Sequence, residues 1–502
     1  MGRMTDVDVV IVGGGPNGLM LACELLLAGL DPVLLERLPE RSREPKANGL
    51  VGQVVQLLDH RDLCGATDPR PVPFYMFGGL PLDLRELDPN PLYVLPVPQR
   101  ELEAALEERA LSLGARIRRG HSVRELTQDA DGVSLQVSGP DGEYELRARY
   151  AVGCDGGRST VRKAAGIGFP GVSGAESTSR SANVLLPLEP DGSLEVPGHG
   201  RLAPFTFHRL DNGVFIHAAF RPDVHLVTTI EWGPEPEDEV PMTLAEMGES
   251  VRRVLGAHVP MNPVPDMDTP PLLRRLTGHN TRQADRYREG RVLLAGDAAH
   301  VHAGVGGPGL NLGMQDVVNL GWKLAATVRG WAPEGLLDTY HRERYPLGER
   351  VMMHSQVQGL LLSPGSEVTA LRTLFGELLG KHSTVRHVAD LMSGAEIRYE
   401  MGGPAHELLG RWAPALKLDT DRGSVRLPEL MRGARPLLVD LNGSLGEIAA
   451  PWRDRVDVVG ARCAGQDASV LVRPDGYVCW AGTTEEGLRE ALTRWFGQPG
   501  GC

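Results

Sequence analysis

The feature that most constrains this chain is a glycine-rich turn near its N-terminus. A nearly continuous apolar run from Val7 to Val12 predicts a strand buried in a parallel sheet, and Gly13-Gly14-Gly15-Pro16-Asn17-Gly18 follows it directly. The residues through Leu30 then carry apolar side chains at helical spacing. A GxGxxG turn between a strand and a helix lets the backbone approach a pyrophosphate, which the helix N-terminus attracts. The chain therefore opens with a predicted dinucleotide-binding βαβ unit.

A carboxylate at the end of the next strand supports this interpretation. Glu36 closes the run Val33-Leu34-Leu35-Glu36 and lies 18 residues after Gly18. A carboxylate in that place accepts hydrogen bonds from both ribose hydroxyls of a dinucleotide. Its charge also repels a 2′-phosphate, so the pattern favours an adenosine ribose without one, such as that of FAD or NAD.

Two further short motifs stand at the ends of predicted strands. The second motif is Gly153-Cys154-Asp155-Gly156-Gly157-Arg158-Ser159, and the third is Gly296-Asp297-Ala298-Ala299-His300. Taken singly, each also has a simpler explanation, an aspartate that caps a helix. The order of GxGxxG, then Asp-Gly, then Gly-Asp is much harder to explain without a bound cofactor.

That order resembles the class A flavoprotein monooxygenases, the family of p-hydroxybenzoate hydroxylase. The resemblance implies that the first motif holds the ADP half of FAD, that Asp155-Gly156 serves FAD and the nicotinamide cofactor, and that Asp297 contacts the ribityl chain. The stretch 306–313 is similar to the family's loop against the isoalloxazine ring. The implied cofactor-binding residues are Gly13, Gly15, Pro16, Asn17, Gly18, Glu36, Arg37, Lys46, Gln99, Val123, Asp155, Gly156, Gly296, Asp297, Gly307, Gly309, Leu310 and Asn311.

The resemblance is strongest to the branch that acts on polycyclic aromatic polyketides. It implies hydroxylation of a polycyclic aromatic substrate through a flavin C4a-hydroperoxide, with O2 and NADPH, or NADH in its place. No catalytic side chain is named, because the substrate phenol in this branch is itself acidic. Two alternatives stay open, namely Baeyer–Villiger oxygenation of a related polyketide ketone and a flavoprotein without oxygenase turnover.

One position departs from the family pattern. The family usually has proline four residues after the histidine of the third motif, whereas this sequence has Gly304. Proline fixes the backbone and glycine frees it, so we expect a more mobile loop beside the substrate.

Composition narrows the partners to small molecules. The net charge of -13 argues against binding of nucleic acid, which needs clustered Lys and Arg, and no apolar run approaches the ~18 residues of a membrane span.

Six scattered cysteines without a CxxC motif predict reduced thiols in the cytoplasm. His300 and His302 have no accompanying ligand cluster, so no metal is predicted. A monomer and a homodimer stay equally open.

The predicted fold class is α/β. A Rossmann-like FAD-binding domain occupies residues 1–175 and 265–393, a β-sheet substrate domain occupies 176–264, and a thioredoxin-like α/β domain occupies 394–502. Strands are expected at 205–207, 214–220 and 226–232, and a helix from about Gln315 to Arg329. Lacking CxxC, the last domain is expected to be structural.

The nicotinamide cofactor has no predicted domain of its own. A single GxGxxG unit is present, so NADPH has to bind at a surface site or in the substrate cleft. Arg158 or Arg162, which follow Asp155, are expected to meet its phosphates. Arg37 is the weaker candidate because it lies at the adenosine end of FAD.

Overall fold

A computed structural model gives the structure of the chain. It describes residues 6–42, 44, 47, 49–65, 69–221, 224–233, 240–264, 271–302 and 307–500. The predicted flavin contact Lys46 and the departure at Gly304 lie outside the described residues. The architecture is mixed α/β, as predicted.

The first sheet carries the N-terminal βαβ unit. Strand β1 (Asp6–Val12) lies between β2 (Val33–Glu36) and β10 (Gly142–Gly153) and runs parallel to both. Val9, Val10 and Ile11 are fully buried, which explains the unbroken apolar run. The other strands are β7 (Arg116–Arg119), β8 (Ser122–Gln128), β9 (Val133–Gly139), β19 (Arg288–Glu289) and β20 (Val292–Leu294). The main path runs β19-β20-β10-β1-β2-β7, with β9 pairing β10 and β8 pairing β9.

The second sheet is antiparallel. Its strands include β15 (Gly213–Arg221) and β16 (Val224–Trp232), so both longer strand predictions are confirmed. The strand predicted at 205–207 is wrong. Phe205 has a φ of 57°, which breaks an extended run, and the next strand begins three residues later, at His208. The remaining strands are β11 (Gly171–Leu185), β14 (His208–Leu210), β17 (Asn262–Pro263), β18 (Leu273–Gln283) and β21 (His300–Val301).

The C-terminal part of the chain has its own sheet. Strand β24 (Leu437–Asp440) is parallel to β25 (Asp457–Gly460) and antiparallel to β26 (Ser469–Val472), and β26 pairs β27 (Val478–Gly482). Small two-stranded ladders are β3 (Leu50–Val51) with β6 (Val94–Leu95), β4 (Phe74–Phe77) with β5 (Leu80–Asp83), β12 (Leu194–Val196) with β13 (Gly200–Leu202), and β22 (Lys417–Thr420) with β23 (Gly423–Arg426).

Helices cover these sheets and connect them. They are α1 (Pro16–Leu27), α2 (Gln53–Asp59), α3 (Gln99–Ser112), α4 (Thr160–Ala164), α5 (Leu244–Leu255), α6 (Pro308–Val328), α7 (Thr339–Leu362), α8 (Ser366–Leu379), α9 (His382–Ser393), α10 (Leu427–Leu430), α11 (Gly446–Ala449) and α12 (Leu488–Phe496). Helix α6 is largely buried and packs on α1. A Cβ at Gly321 would lie 2.7 Å from the Glu24 Cβ, so the two helices approach closely.

A buried histidine marks the contact between α2 and the C-terminal part of the chain. His60 stacks on Trp412 with ring centroids 5.0 Å apart. Burial, assisted by the charge of Arg61, lowers the pKa of His60 to about 3. The unfolded chain binds a proton near pH 6.5, whereas the folded chain binds it near pH 3, so acid favours unfolding within that window.

We therefore expect stability to fall below pH 6.5, and His60 to contribute about 1.4 kcal/mol per pH unit to that fall. His60→Phe keeps the stacked ring but removes the titrating group. Between pH 6.5 and 4.5 its free energy of unfolding should therefore change less steeply with pH than that of the wild type, by about 1.4 kcal/mol per pH unit, which corresponds to one proton. Denaturant unfolding at several pH values measures the slope. The exposed His258→Gln is the control, and an unchanged slope in His60→Phe would contradict the assignment.

Candidate flavin site

The first motif folds as the sequence predicts, and each glycine has its own physical reason. Gly13 has a φ of 111°, and a Cβ on it would collide with the Cys154 carbonyl. A Cβ on Gly18 would collide with the Gly13 carbonyl, because strand and helix approach closely there. Gly15 differs, since a Cβ on it would meet no protein atom within 4 Å. The open space therefore lies in front of Gly15 at the N-terminus of α1, where a phosphate would be attracted.

Glu36 ends β2 beside this turn. Its carboxylate accepts hydrogen bonds from the Gly14 amide at 2.7 Å and from the Leu38 amide at 2.8 Å. A carboxylate has about four acceptor positions, so it keeps capacity for ribose hydroxyls. The His121 amide donates to the Glu36 carbonyl, which brings the segment that leads to buried Val123 to the same end of the sheet. Arg37 is exposed next to it.

The second motif lies against the first. The Cys154 amide donates to the Val12 carbonyl at 2.7 Å, which joins the two strand ends. Asp155 accepts the Thr160 and Val161 amides through Oδ2, whereas its Oδ1 is buried without a partner. Burial raises the pKa of this carboxyl, although hydrogen bonds from Ser159 and nearby amides oppose the rise. Gly156 follows with a φ of 82°.

Arg162 bonds the second motif to the third. Its guanidinium donates to the Gly157 carbonyl and to the Ala298 carbonyl, both at 2.9 Å. It also stacks on Phe169, with 3.7 Å between the guanidinium carbon and the ring centroid. Arg162 is therefore a weaker candidate for a cofactor phosphate than the sequence suggests, because it is buried and two of its five N–H donors bind protein carbonyls. Arg158 is exposed and stays the candidate.

The third motif receives a side chain from the first. Asn17 packs so closely on Gly296 and on Gly313 of α6 that a Cβ on either glycine would collide with its amide nitrogen. The Oδ1 of Asn17 is buried without a hydrogen-bond partner. Asp297 is exposed, and its Oδ1 lies 4.0 Å from the position of a Cβ on Gly309. The three motifs and the start of α6 thus converge.

The first turn of α6 is held by Asn311. Gly307, in the left-handed conformation, precedes Pro308 at the first helical position. The Asn311 Oδ1 accepts the Val51 amide and its Nδ2 donates to the Gly307 carbonyl, both at 3.0 Å. Leu310 packs on the core. The side chain of Asn311 is therefore committed to the protein, and its turn offers backbone N–H groups instead.

Gln99 is the first residue of α3. Its amide donates to the Ala47 carbonyl at 2.8 Å, and its side chain donates to Glu103 at 2.8 Å. Gln99 therefore fixes the segment that leads into β3. Lys46, the neighbour of Ala47, is outside the described residues.

The sequence interpretation missed a buried charged cluster behind the third motif. The Asp316 carboxylate contacts His300 Nε2 at 2.6 Å and accepts Arg344 Nε at 2.7 Å. Burial by itself would raise the pKa of Asp316, but the charges and hydrogen bonds of Arg344 and His300 outweigh it and lower the pKa. The available signal was the presence of two charged residues, Asp316 and Lys323, in a largely apolar helix.

The geometry defines the class of site. Open space before a GxGxxG turn, two buried oxygens without partners on Asn17 and Asp155, and a helix N-terminus suit a dinucleotide cofactor that extends to a flat ring. No group of three or more metal-ligating side chains occurs among the described residues. No helix in the described part of the chain is long and apolar enough to cross a membrane.

Comparisons with known proteins agree with this class. The FAD binding domain family matches residues 6–355, and the aromatic-ring hydroxylase C-terminal family matches residues 406–499. Anhydrotetracycline monooxygenase of Streptomyces rimosus is 43% identical, with 98% of this chain and 99% of the relative covered. Dialkyldecalin synthase of Streptomyces rugosporus is 37% identical, with 98% and 99% covered. The crystal structure of an aromatic hydroxylase from angucycline biosynthesis is 40% identical, with 99% and 100% covered and a TM-score of 0.88.

The chain therefore belongs to the family of FAD-binding aromatic-ring hydroxylases. It is a flavin-dependent monooxygenase, and FAD is its cofactor.

Proposed function

We propose that this enzyme hydroxylates a polycyclic aromatic substrate of the polyketide type with NADPH and O2. The observation that carries the proposal is the convergence of the three motifs on one site, where Asn17 and Asp155 each keep a buried oxygen without a protein partner. Relatives named for anhydrotetracycline and for angucycline biosynthesis support the substrate class.

The proposed roles follow from the contacts of each residue. The α1 N-terminus beside Gly15 binds the pyrophosphate, Glu36 accepts the adenosine ribose, and Asp297 with Asn17 holds the ribityl chain. The first turn of α6 directs N–H groups and positive potential toward the N1–C2 carbonyl edge of the ring. Bound FAD supplies the chemistry of hydride acceptance and oxygen activation. Val123, Arg37, Lys46 and Gln99 complete the proposed contacts.

The nicotinamide cofactor gives a separate prediction. Arg158→Ala should raise the KM for NADPH about tenfold, since one lost phosphate contact of about 1.4 kcal/mol has that effect. FAD affinity should not change. Steady-state kinetics at saturating substrate measure the KM. Arg422→Ala removes another exposed arginine, which belongs to none of the three motifs, and is the matched control; if it raises the KM as much as Arg158→Ala does, the proposed position of NADPH is wrong.

Turnover under labelled O2 tests the function. With NADPH and a panel of polycyclic phenols and quinones, we expect one labelled oxygen atom in a new hydroxyl group and the other in water. A labelled atom within a lactone or ester would indicate Baeyer–Villiger oxygenation instead. Absence of labelled product from every substrate, with FAD bound, would contradict the proposal.

A second candidate function rests on one relative. The 37% identical dialkyldecalin synthase is named for a synthase reaction and not for oxygenation. If this chain acts in the same way, its product forms equally fast without O2 and NADPH. Matched aerobic and anaerobic reactions on the same substrates therefore distinguish the two candidates.

We also propose the domain division at 1–175 with 265–393, 176–264, and 394–502, the last with a thioredoxin-like fold. A mixed sheet in the order β25-β24-β26-β27 with α12 beside β27 supports that fold. The described cysteines are all free, which supports a reducing cytoplasmic setting. A monomer or homodimer is proposed, and sedimentation distinguishes them.

A further inference from the structure

A line of polar side chains runs along one face of helix α6. Asp316, Asn319 and Lys323 of α6 have the spacing i, i+3, i+7, which places them on one face. Their exposed fractions are 0%, 2% and 0%. Buried polar groups are costly unless they are hydrogen-bonded, so the partners of these three side chains indicate what the face is for.

The partners on α7 are two consecutive residues. Arg344 binds Asp316, as described above. Glu343 accepts hydrogen bonds from Lys323 Nζ and from Asn319 Nδ2, both at 2.7 Å. Lys323 also donates a hydrogen bond to the Asn319 side-chain oxygen at 2.8 Å. Helix α6 is thereby held to α7 at two successive turns.

The remaining partners come from the turn between β26 and β27. Arg473 donates to both carboxylate oxygens of Glu343, at 2.7 and 2.8 Å, and it also binds Asp475. Asp475 in turn accepts Asn319 Nδ2 at 2.9 Å. Arg473 is fully buried, and its guanidinium carbon lies 4.7 Å from the Trp495 ring centroid. We call Asp316, Asn319, Lys323, Glu343, Arg344, Arg473 and Asp475 the polar seam.

A second contact joins the same turn to the other helix of the cofactor site. Arg61 forms a buried ion pair with Glu24 of α1 and donates to the Pro474 carbonyl at 2.7 Å. Tyr399 lies beside both arginines of the polar seam, since its hydroxyl accepts a hydrogen bond from Arg344 Nη1 at 3.0 Å and its ring centroid lies 5.3 Å from the Arg473 guanidinium carbon. The turn at 473–475 therefore binds α6 directly, through Asp475 and Asn319, and is connected to α1 through Arg61.

We propose that the 473–475 turn is a positioning element for the flavin: Arg473 and Asp475 fix α6 along its axis and so hold its first turn against the cofactor. The inference rests on the proposed placement of the ring at residues 307–311. A helix transmits an axial shift along its whole length, and Lys323 lies about 18 Å from Asn311 at 1.5 Å per residue. A misplacement of about 1 Å at reacting groups costs about 100-fold in rate, so small displacements matter.

The seam leaves little freedom for such a shift. Of its three cations, Lys323 and Arg473 are balanced by Glu343 and Asp475, and Arg344 is balanced by Asp316. Each hydrogen bond has a narrow range of length, so sliding α6 would leave buried charges unpaired. In this proposal the C-terminal part of the chain holds the position of α6.

Asp475→Asn tests this inference, because it keeps the shape of the side chain but removes its charge. We expect FAD to bind at least about tenfold more weakly, a change of about 1.4 kcal/mol, and the yield of H2O2 per NADPH to rise. If the turn affects FAD binding, FAD binding must affect the turn to the same extent, and hydrogen exchange measures this second effect independently. In the wild type, FAD binding should slow hydrogen exchange in peptides spanning 469–482, and in Asp475→Asn this protection should be lost.

Glu246→Gln is the matched control. Glu246 of α5 accepts hydrogen bonds from Arg180 and Arg275, and α5 packs on β11, β15 and β16. We expect Glu246→Gln to lower the melting temperature without changing FAD affinity. Equal FAD affinity for Asp475→Asn and the wild type, at a temperature where both are folded, would overturn the inference.

If Asp475→Asn does not fold, Asn319→Ser replaces it, since this change removes the amide that joins Asp475 to Glu343 while every charge stays paired. The same outcomes then apply. Failure of the wild type to bind FAD would instead contradict the proposed function, so the two failures are distinguishable.

Discussion

Replacing Gly15 by valine is expected to abolish FAD binding while leaving the fold intact. Gly15 has an extended backbone, with φ -76° and ψ -175°, which any residue adopts. Because a Cβ there meets no protein atom within 4 Å, the valine side chain fills space that the proposed pyrophosphate needs. We expect FAD to bind at least about 100-fold more weakly, about 2.7 kcal/mol, in a fluorescence titration.

Gly359→Val is the control for this experiment. Gly359 of α7 also has no atom within 4 Å of a Cβ, so the substitution adds the same side chain away from the motifs. Both variants should keep the circular dichroism and melting temperature of the wild-type apoprotein. Gly13 and Gly18 are unsuitable for this purpose, since a side chain on either would damage the fold itself. Wild-type FAD affinity in Gly15→Val would place the pyrophosphate elsewhere.

Asp316→Asn is expected to be strongly destabilising. The substitution removes the charge that compensates Arg344 in a region with no solvent contact for either side chain. Breaking a buried ion pair by removing one partner costs about 3–5 kcal/mol, because the remaining charge is left uncompensated. Denaturant unfolding of the apoprotein measures the loss.

The control removes the same kind of charge at the surface. Asp338 pairs with Arg288, but 63% of the Asp338 side chain is exposed. Asp338→Asn should cost no more than about 1 kcal/mol, because water replaces the lost interaction. Similar losses in the two variants would mean that the Asp316 cluster does not act as an ion pair.

The local motifs were predictable because their chemistry is local. A glycine is required at Gly13 by its positive φ and at Gly18 by close packing of strand on helix, and both reasons appear in the sequence as a spacing. The strand before them was predictable for a similar reason, since a strand buried on both faces has to be apolar throughout.

The start of α6 was not predictable in this way. The sequence predicts a helix from about Gln315, whereas α6 begins at Pro308. Glycine has a low helix propensity, so Gly309 and Gly313 read as loop. Tertiary packing reverses that preference, because Gly313 is where Asn17 packs against the helix and a side chain would collide with it.

By itself, the sequence determined the βαβ unit, the three motifs and hence the cofactor class, since each depends on residues close together in the chain. Only the tertiary structure showed which charged residues are bound by distant parts of the protein. Arg158 and Arg162 are the same residue type and lie four positions apart, yet only the structure shows that Arg162 donates hydrogen bonds to two backbone carbonyl groups. Arg473 and Lys323 are 150 residues apart and share Glu343. The partner of a buried charge is set by packing between distant segments, and no spacing along the chain records it.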